Sequence, residues 1–188
     1  MRAPAISWIG NTRPGLDRNT CGQAAIATVL RAWRLAGEDL EDGAAIDGVR
    51  AVFPPDLPFG LGTSAFRIAA ALSAHGLEVE LVHSGWFGAR RALALDRLLA
   101  HVGQGLPAPV CLNGRDVGGS RWSAHWAVAL GVEASGVLVG NAGPGLVWPL
   151  HRFVDAWACR HLPFSHNHCA VLARLRGAAP ATAPGTHA

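Results

Sequence analysis

The apolar residues of this chain change their period partway along, and that change limits what the chain can fold into. Ile26, Val29, Leu30 and Trp33 fall at i, i+3, i+4 and i+7, which predicts a helix over residues 20–36 with Gly37 as its stop. A weaker helical pattern through Ile46, Val49 and Val52 ends at Pro54-Pro55, and a further helix runs from Thr63 or Ser64 to His75, with Gly76 behind it. Residues 77–81 alternate as a strand, Leu95, Leu98, Leu99 and Val102 mark another helix, and residues 109–112 read as a buried strand. Beyond that point the pattern is of apolar runs bounded by glycine. Residues 126–130 and 137–139 form two strands separated by a six-residue loop, 131–136, which is longer than a tight two-residue turn. A short amphipathic helix at 150–157 and a last strand at 168–175 follow, and the Ala-, Pro-, Thr- and Gly-rich remainder, 176–188, is expected to be a disordered tail.

With 188 residues, half of them apolar, residues 1–175 suffice for one domain with one sizeable core. The formal charge of +3 comes from sixteen arginines and no lysine, scattered rather than gathered, so no nucleic-acid footprint is expected. Without lysine, P-loop phosphate binding and Schiff-base chemistry with pyridoxal are excluded. Four cysteines do not make a disulfide framework, no secretory signal is visible, and no apolar stretch is long enough to span a membrane. The expectation is a cytoplasmic protein with free thiols, no membrane partner and no cofactor.

Cys21 lies at the first turn of the first predicted helix, in Asn19-Thr20-Cys21-Gly22-Gln23-Ala24-Ala25, where unpaired N–H groups and the positive end of the macrodipole favour thiolate over thiol. His125 stands just before one strand of the predicted hairpin and Asn141 just after the other, 141 − 125 = 16 positions apart, so pairing of the strands brings them together. Each alone is ordinary: a buried small hydrophobe, a strand-end histidine, a turn residue. Together they are distributed as a nucleophile, its base and the orienter of the base. A thiol with an ordinary pKa of about 8.5 falls to roughly 3.5–7.5 beside a histidinium at a helix N-terminus. In that arrangement His125 takes the thiol proton and later delivers it to the leaving group, while the side-chain oxygen of Asn141 fixes the ring. The oxyanion would take the Cys21 main-chain N–H and one side-chain amide.

The segment from Cys159 to Cys169 holds two thiols and three imidazoles, but its spacing fits no common zinc finger, and a surface loop with no metal is the expectation. Cys111, in an apolar strand, is expected in the core. Among seven tryptophans, Trp126, Trp122 and Trp86 are the candidates for lining a substrate cleft, and the Gly-rich residues 113–120 read as a mobile loop near it.

The Cys-Gly-x-Ala-Ala helix start, the Gly-Thr-Ser that leads the third helix, the Pro-x-Pro-Val strand and His-Trp followed sixteen residues after the His by Asn resemble the papain-like cysteine peptidases, most of all their bacterial C39-like branch. The resemblance implies an α+β fold, a helical N-terminal half packed on a C-terminal antiparallel sheet with the active site between them. It also implies hydrolysis of a peptide or amide bond through a Cys21 thioester, with His125 as base and Asn141 as orienter. In such families a glutamine six residues before the nucleophile completes the oxyanion hole; here that position is Gly15, which leaves Asn19, Asn11 or Gln23 as candidate donors. Two alternatives stay open: an acyltransferase using the same thioester, and a silent papain-like domain that binds a peptide.

Overall fold

Helix α1 (Cys21–Ala32) is buried from Cys21 to Leu30, not along one stripe alone. Its small residues explain this. Ala24 and Ala27 let α2 (Asp42–Val52) approach through Ala45 and Ile46, while Ile26, Val29 and Leu30 face the sheet. Arg31 ties the two helices by bonding Asp42 at 2.9 Å and the Leu40 carbonyl at 2.9 Å. The computed structural model describes residues 19–35, 39–57, 62–85, 90–118, 123–142, 147–159 and 167–177. Gly37 and most of the expected tail lie outside them.

The first helix stops sooner than its apolar spacing predicts. Leu35 N donates to the Leu30 carbonyl and Arg34 N to that of Arg31, with Arg34 at φ +53°, which is a Schellman closure with arginine in the usual glycine position. Helix α3 (Ala65–Ala74) is capped by Ser64, whose hydroxyl accepts from Arg67 N, and ends before Gly76 at φ +85°. Strand β1 (Leu77–Val82), helix α4 (Arg91–Val102) and strand β2 (Ala108–Asn113) follow as expected. Residues 114–117 form a short 3-10 turn capped by the Asn113 side chain, so the first part of the supposed mobile loop is regular.

Strand β3 (Ala124–Glu133) is longer than its apolar run, and β4 is Gly136–Gly140. The hairpin therefore turns through Ala134-Ser135 alone, in place of the predicted six-residue loop, and His125 lies inside the strand. A bulge absorbs the difference: Ala129 pairs with Val139 and Gly131 with Leu138, which leaves Leu130 as the extra residue, buried against α1. Strand β5 (Val147–Trp148), helix α5 (Leu150–Trp157) and strand β6 (Ala170–Leu175) complete the described elements.

The strands form one antiparallel sheet in the order β1-β6-β2-β3-β4-β5. Its alternating residues divide the core in two. Cys111, Trp126, Val128, Val171 and Ala173 pack with α1 and α3 on one face. Val110, Leu112, Ala127, Ala129 and Leu172 pack with α4 and α5 on the other. Helix α5 presents Phe153, Ala156 and Trp157 at i, i+3 and i+4; burying a ring such as Phe153 contributes up to about 3 kcal/mol. The architecture is the α+β one expected, with two qualifications: β1 from the helical half joins the sheet, and helices cover both faces of it.

Candidate active site

Cys21 is the first residue of α1, and no acidic side chain stands in that turn to neutralise its positive end. The sulfur receives the imidazole of His125 and the main-chain N–H groups of Trp126 and Gly22. Burial by itself would push the thiol pKa up. The hydrogen bond to His125 and the charge of its ring outweigh burial, the two N–H groups add to them, and the pKa is lowered from its ordinary value. For His125 burial favours the neutral ring, but the bond to Cys21, the thiolate charge and the Asn141 carbonyl outweigh that, and its pKa is raised. The two directions agree. A proton moved from thiol to imidazole leaves an ion pair held by the fold.

The ring is oriented differently from the sequence expectation. His125 Nε2 donates to the main-chain carbonyl of Asn141, which leaves Nδ1 for the sulfur. The Asn141 side chain serves another partner, its Nδ2 donating to the Trp126 carbonyl at 3.1 Å. Asn141 sits at φ +59°, a conformation asparagine tolerates better than most residues, and that turn of the backbone points its carbonyl at His125. The β3–β4 pairing, which ends at Val128 opposite Gly140, brings the two residues into range.

Other candidates fall elsewhere. Gln23 is fully buried, and its amide nitrogen donates to the Phe53 carbonyl at 3.0 Å and to Thr63 Oγ1 at 3.1 Å. It braces helices and is not placed as an oxyanion donor, because its position on α1 turns it toward α3. Trp126 is 6% exposed and its indole donates to the Thr63 carbonyl at 2.7 Å, so it is a core residue beside Cys21 and not a cleft wall. Asn19 stands half-buried in the turn before α1. Asn11, Gly15, Trp86 and Trp122 lie outside the described residues.

The remaining thiols contrast with Cys21 although all four share one core cluster. A hydrogen bond with Cys159, together with burial, holds Cys111 well above the ordinary thiol range, and burial pushes Cys169 to about 12. His168, expected to open the last strand, lies in the turn before it, buried edge-on against Trp157 with Nδ1 2.8 Å from the Ser84 hydroxyl. Among the described residues no group of three His, Cys, Asp or Glu is placed to hold a metal; residues 160–166 lie outside them.

Sequence reasoning missed Thr63, whose carbonyl and hydroxyl both serve the surroundings of Cys21. Two signals point to it: the Gly-Thr-Ser segment that leads α3, and Gly22, where a Cβ would lie 2.5 Å from Thr63 Cβ.

The sequence matches no family model and no curated protein. Solved structures, by contrast, share its architecture. A C39-like peptidase from Bacillus anthracis superposes with a TM-score of 0.61 at 14% identity, over 92% of this chain and 96% of that one. A double glycine motif protease from an AMS/PCAT transporter, solved with its leader peptide, gives 0.55 at 16% identity, over 89% and 90%. The peptidase domain of Streptococcus ComA, a bifunctional ABC transporter of a quorum-sensing pathway, gives 0.54 at 18%, over 87% and 96%. The chain has the papain-like fold of these C39 peptidase domains.

Proposed function

We propose that the protein is a cysteine peptidase that cleaves a peptide substrate through a thioester at Cys21. The observation that carries this reading is the hydrogen-bonded Cys21–His125 pair, in which the thiol pKa is lowered and the imidazole pKa raised, the directions that favour thiolate and imidazolium together. The Cys21 thiolate attacks the scissile carbonyl carbon, and the oxyanion is received at the start of α1, where the Cys21 main-chain N–H lies. The His125 imidazolium gives its proton to the leaving amine as the C–N bond breaks. A water then loses a proton to His125 and attacks the thioester, releasing the acid and restoring Cys21. Asn141 holds the imidazole through its carbonyl, and its side chain holds the hairpin that carries both.

The fold neighbour, a double glycine motif protease bound to a leader peptide, supports peptides that carry a pair of glycines as the first substrates to try. Incubation with such peptides, followed by mass spectrometry, is expected to give two fragments cut after the glycine pair. Cys21→Ala should give none, and His125→Ala should slow cleavage by about 10²–10⁴-fold. If the parent leaves a panel of these peptides intact yet binds them as tightly as Cys21→Ala does, the reading is wrong and a silent binding domain takes its place. Conjugation of the acyl fragment to an added amine, at the expense of free acid, would instead assign a transferase.

A further inference from the structure

We infer that Thr63 is a positioning residue for the Cys21–His125 pair, a brace at the head of α3 that sets the spacing between the helix carrying the thiol and the strand carrying the imidazole. The inference rests on the proposed role of that pair. Thr63 is 3% exposed and touches both sides of the site through separate groups. Toward α1, its hydroxyl takes the Gln23 amide at 3.1 Å, and its Cβ and Oγ1 fill the space left by Gly22, at 2.5 Å and 2.7 Å from where a Cβ would stand. Toward β3, its carbonyl takes the Trp126 indole at 2.7 Å.

Those contacts matter because of which groups they fix. Gly22 and Trp126 are the two residues whose main-chain N–H groups point at the Cys21 sulfur, and Trp126 is the residue after His125. One threonine thus holds both donors, each by a different part of itself. Thr63 is itself tied from behind: Ser64 N and Oγ bond the two oxygens of Asp56 at 2.7 Å and 2.6 Å. Gln23 extends the brace to the Phe53 carbonyl at the end of α2. A displacement of Thr63 therefore moves the thiol and its donors relative to the imidazole, with no loss of any group that touches the sulfur.

The test is the pH dependence of Cys21 alkylation by iodoacetamide, read by peptide mapping in the full-length protein. Thr63→Val keeps the shape and deletes the hydroxyl; Trp126→Phe keeps a ring and deletes the indole N–H. Each is expected to displace the profile toward higher pH, with about tenfold less Cys21 thiolate in the rising part of the curve. Thr63→Ser, which keeps the hydroxyl, is expected to restore the parent profile. Loss of thermal stability with an unmoved profile in both variants would overturn the inference, since a merely structural threonine changes the melting point alone. Should Thr63→Val fail to fold, Trp126→Phe decides. A parent profile that already matches an ordinary thiol is a different result: it removes the active pair, and this inference with it.

Discussion

At Asn141 the work of orienting His125 falls to a carbonyl that every residue possesses, and the identity of the side chain matters for two other reasons. It tolerates φ +59°, and its Nδ2 bonds the Trp126 carbonyl. Asn141→Gly keeps the left-handed backbone and the carbonyl, so the Cys21 alkylation profile should stay close to that of the parent while urea unfolding shows a loss of about 1 kcal/mol for the missing bond. Asn141→Leu should cost a further 1–2 kcal/mol or so, because a branched side chain is strained in that conformation. A Gly variant whose thiol reverts to ordinary reactivity would show that the side chain does the orienting. The sequence made the proximity of His125 and Asn141 legible through hairpin spacing. Which atom of Asn141 meets the ring was not legible, because main-chain direction at a turn depends on φ and ψ and not on residue type alone.

The β3–β4 hairpin is the element on which the site's geometry depends most. Its turn begins at Glu133, and Gly136 opens the return strand against the chain of β5: a Cβ on Gly136 would stand 1.9 Å from the Trp148 carbonyl oxygen. Backbone, unlike a side-chain tip, has little room to yield. Gly136→Ala should destabilise the protein by about 1–3 kcal/mol in chemical denaturation, and a neutral result would mean that β5 sits free of the hairpin. Apolar runs located both strands, but they underestimated β3, because Gly131, Val132 and Glu133 continue the ladder after the core side chains end. The bulge at Leu130 has the same cause: it is a local insertion that lets Leu130 stay inside, and no alternation count shows it. Helix α1 failed in the opposite way. Its spacing ran on past the Schellman closure at Arg34, where the backbone turns left-handed on a residue that gives no sign of it.

Over the whole molecule, the two members of the pair come from parts of the chain 125 − 21 = 104 positions apart, Cys21 from the helical half and His125 from the sheet. Their meeting was expected from the resemblance in sequence, and the shared core of α1, α3 and the sheet accounts for it physically. What stayed hidden was the packing between: Thr63, the buried amide of Gln23 and the inward turn of Trp126 follow from tertiary contacts with no local pattern. The pKa directions give a pH dependence with a definite sign. Cys21 is depressed, so its thiolate is present at pH values below the ordinary thiol range and is lost as pH falls through the lowered value. His125 is raised, so its imidazolium persists above the ordinary imidazole value and is lost as pH rises through the raised one. Peptide cleavage should therefore follow a bell between two apparent values that belong to the pair. The most direct test of the pair itself needs no substrate: the rate of iodoacetamide labelling at each cysteine from about pH 4 to pH 9, in the parent and in His125→Ala. Rapid labelling of Cys21 well below neutrality, slowed in His125→Ala, is the expected result, while Cys111 and Cys169 stay unlabelled until the protein unfolds. Labelling of Cys21 only as pH nears about 8.5, indifferent to His125, would contradict it.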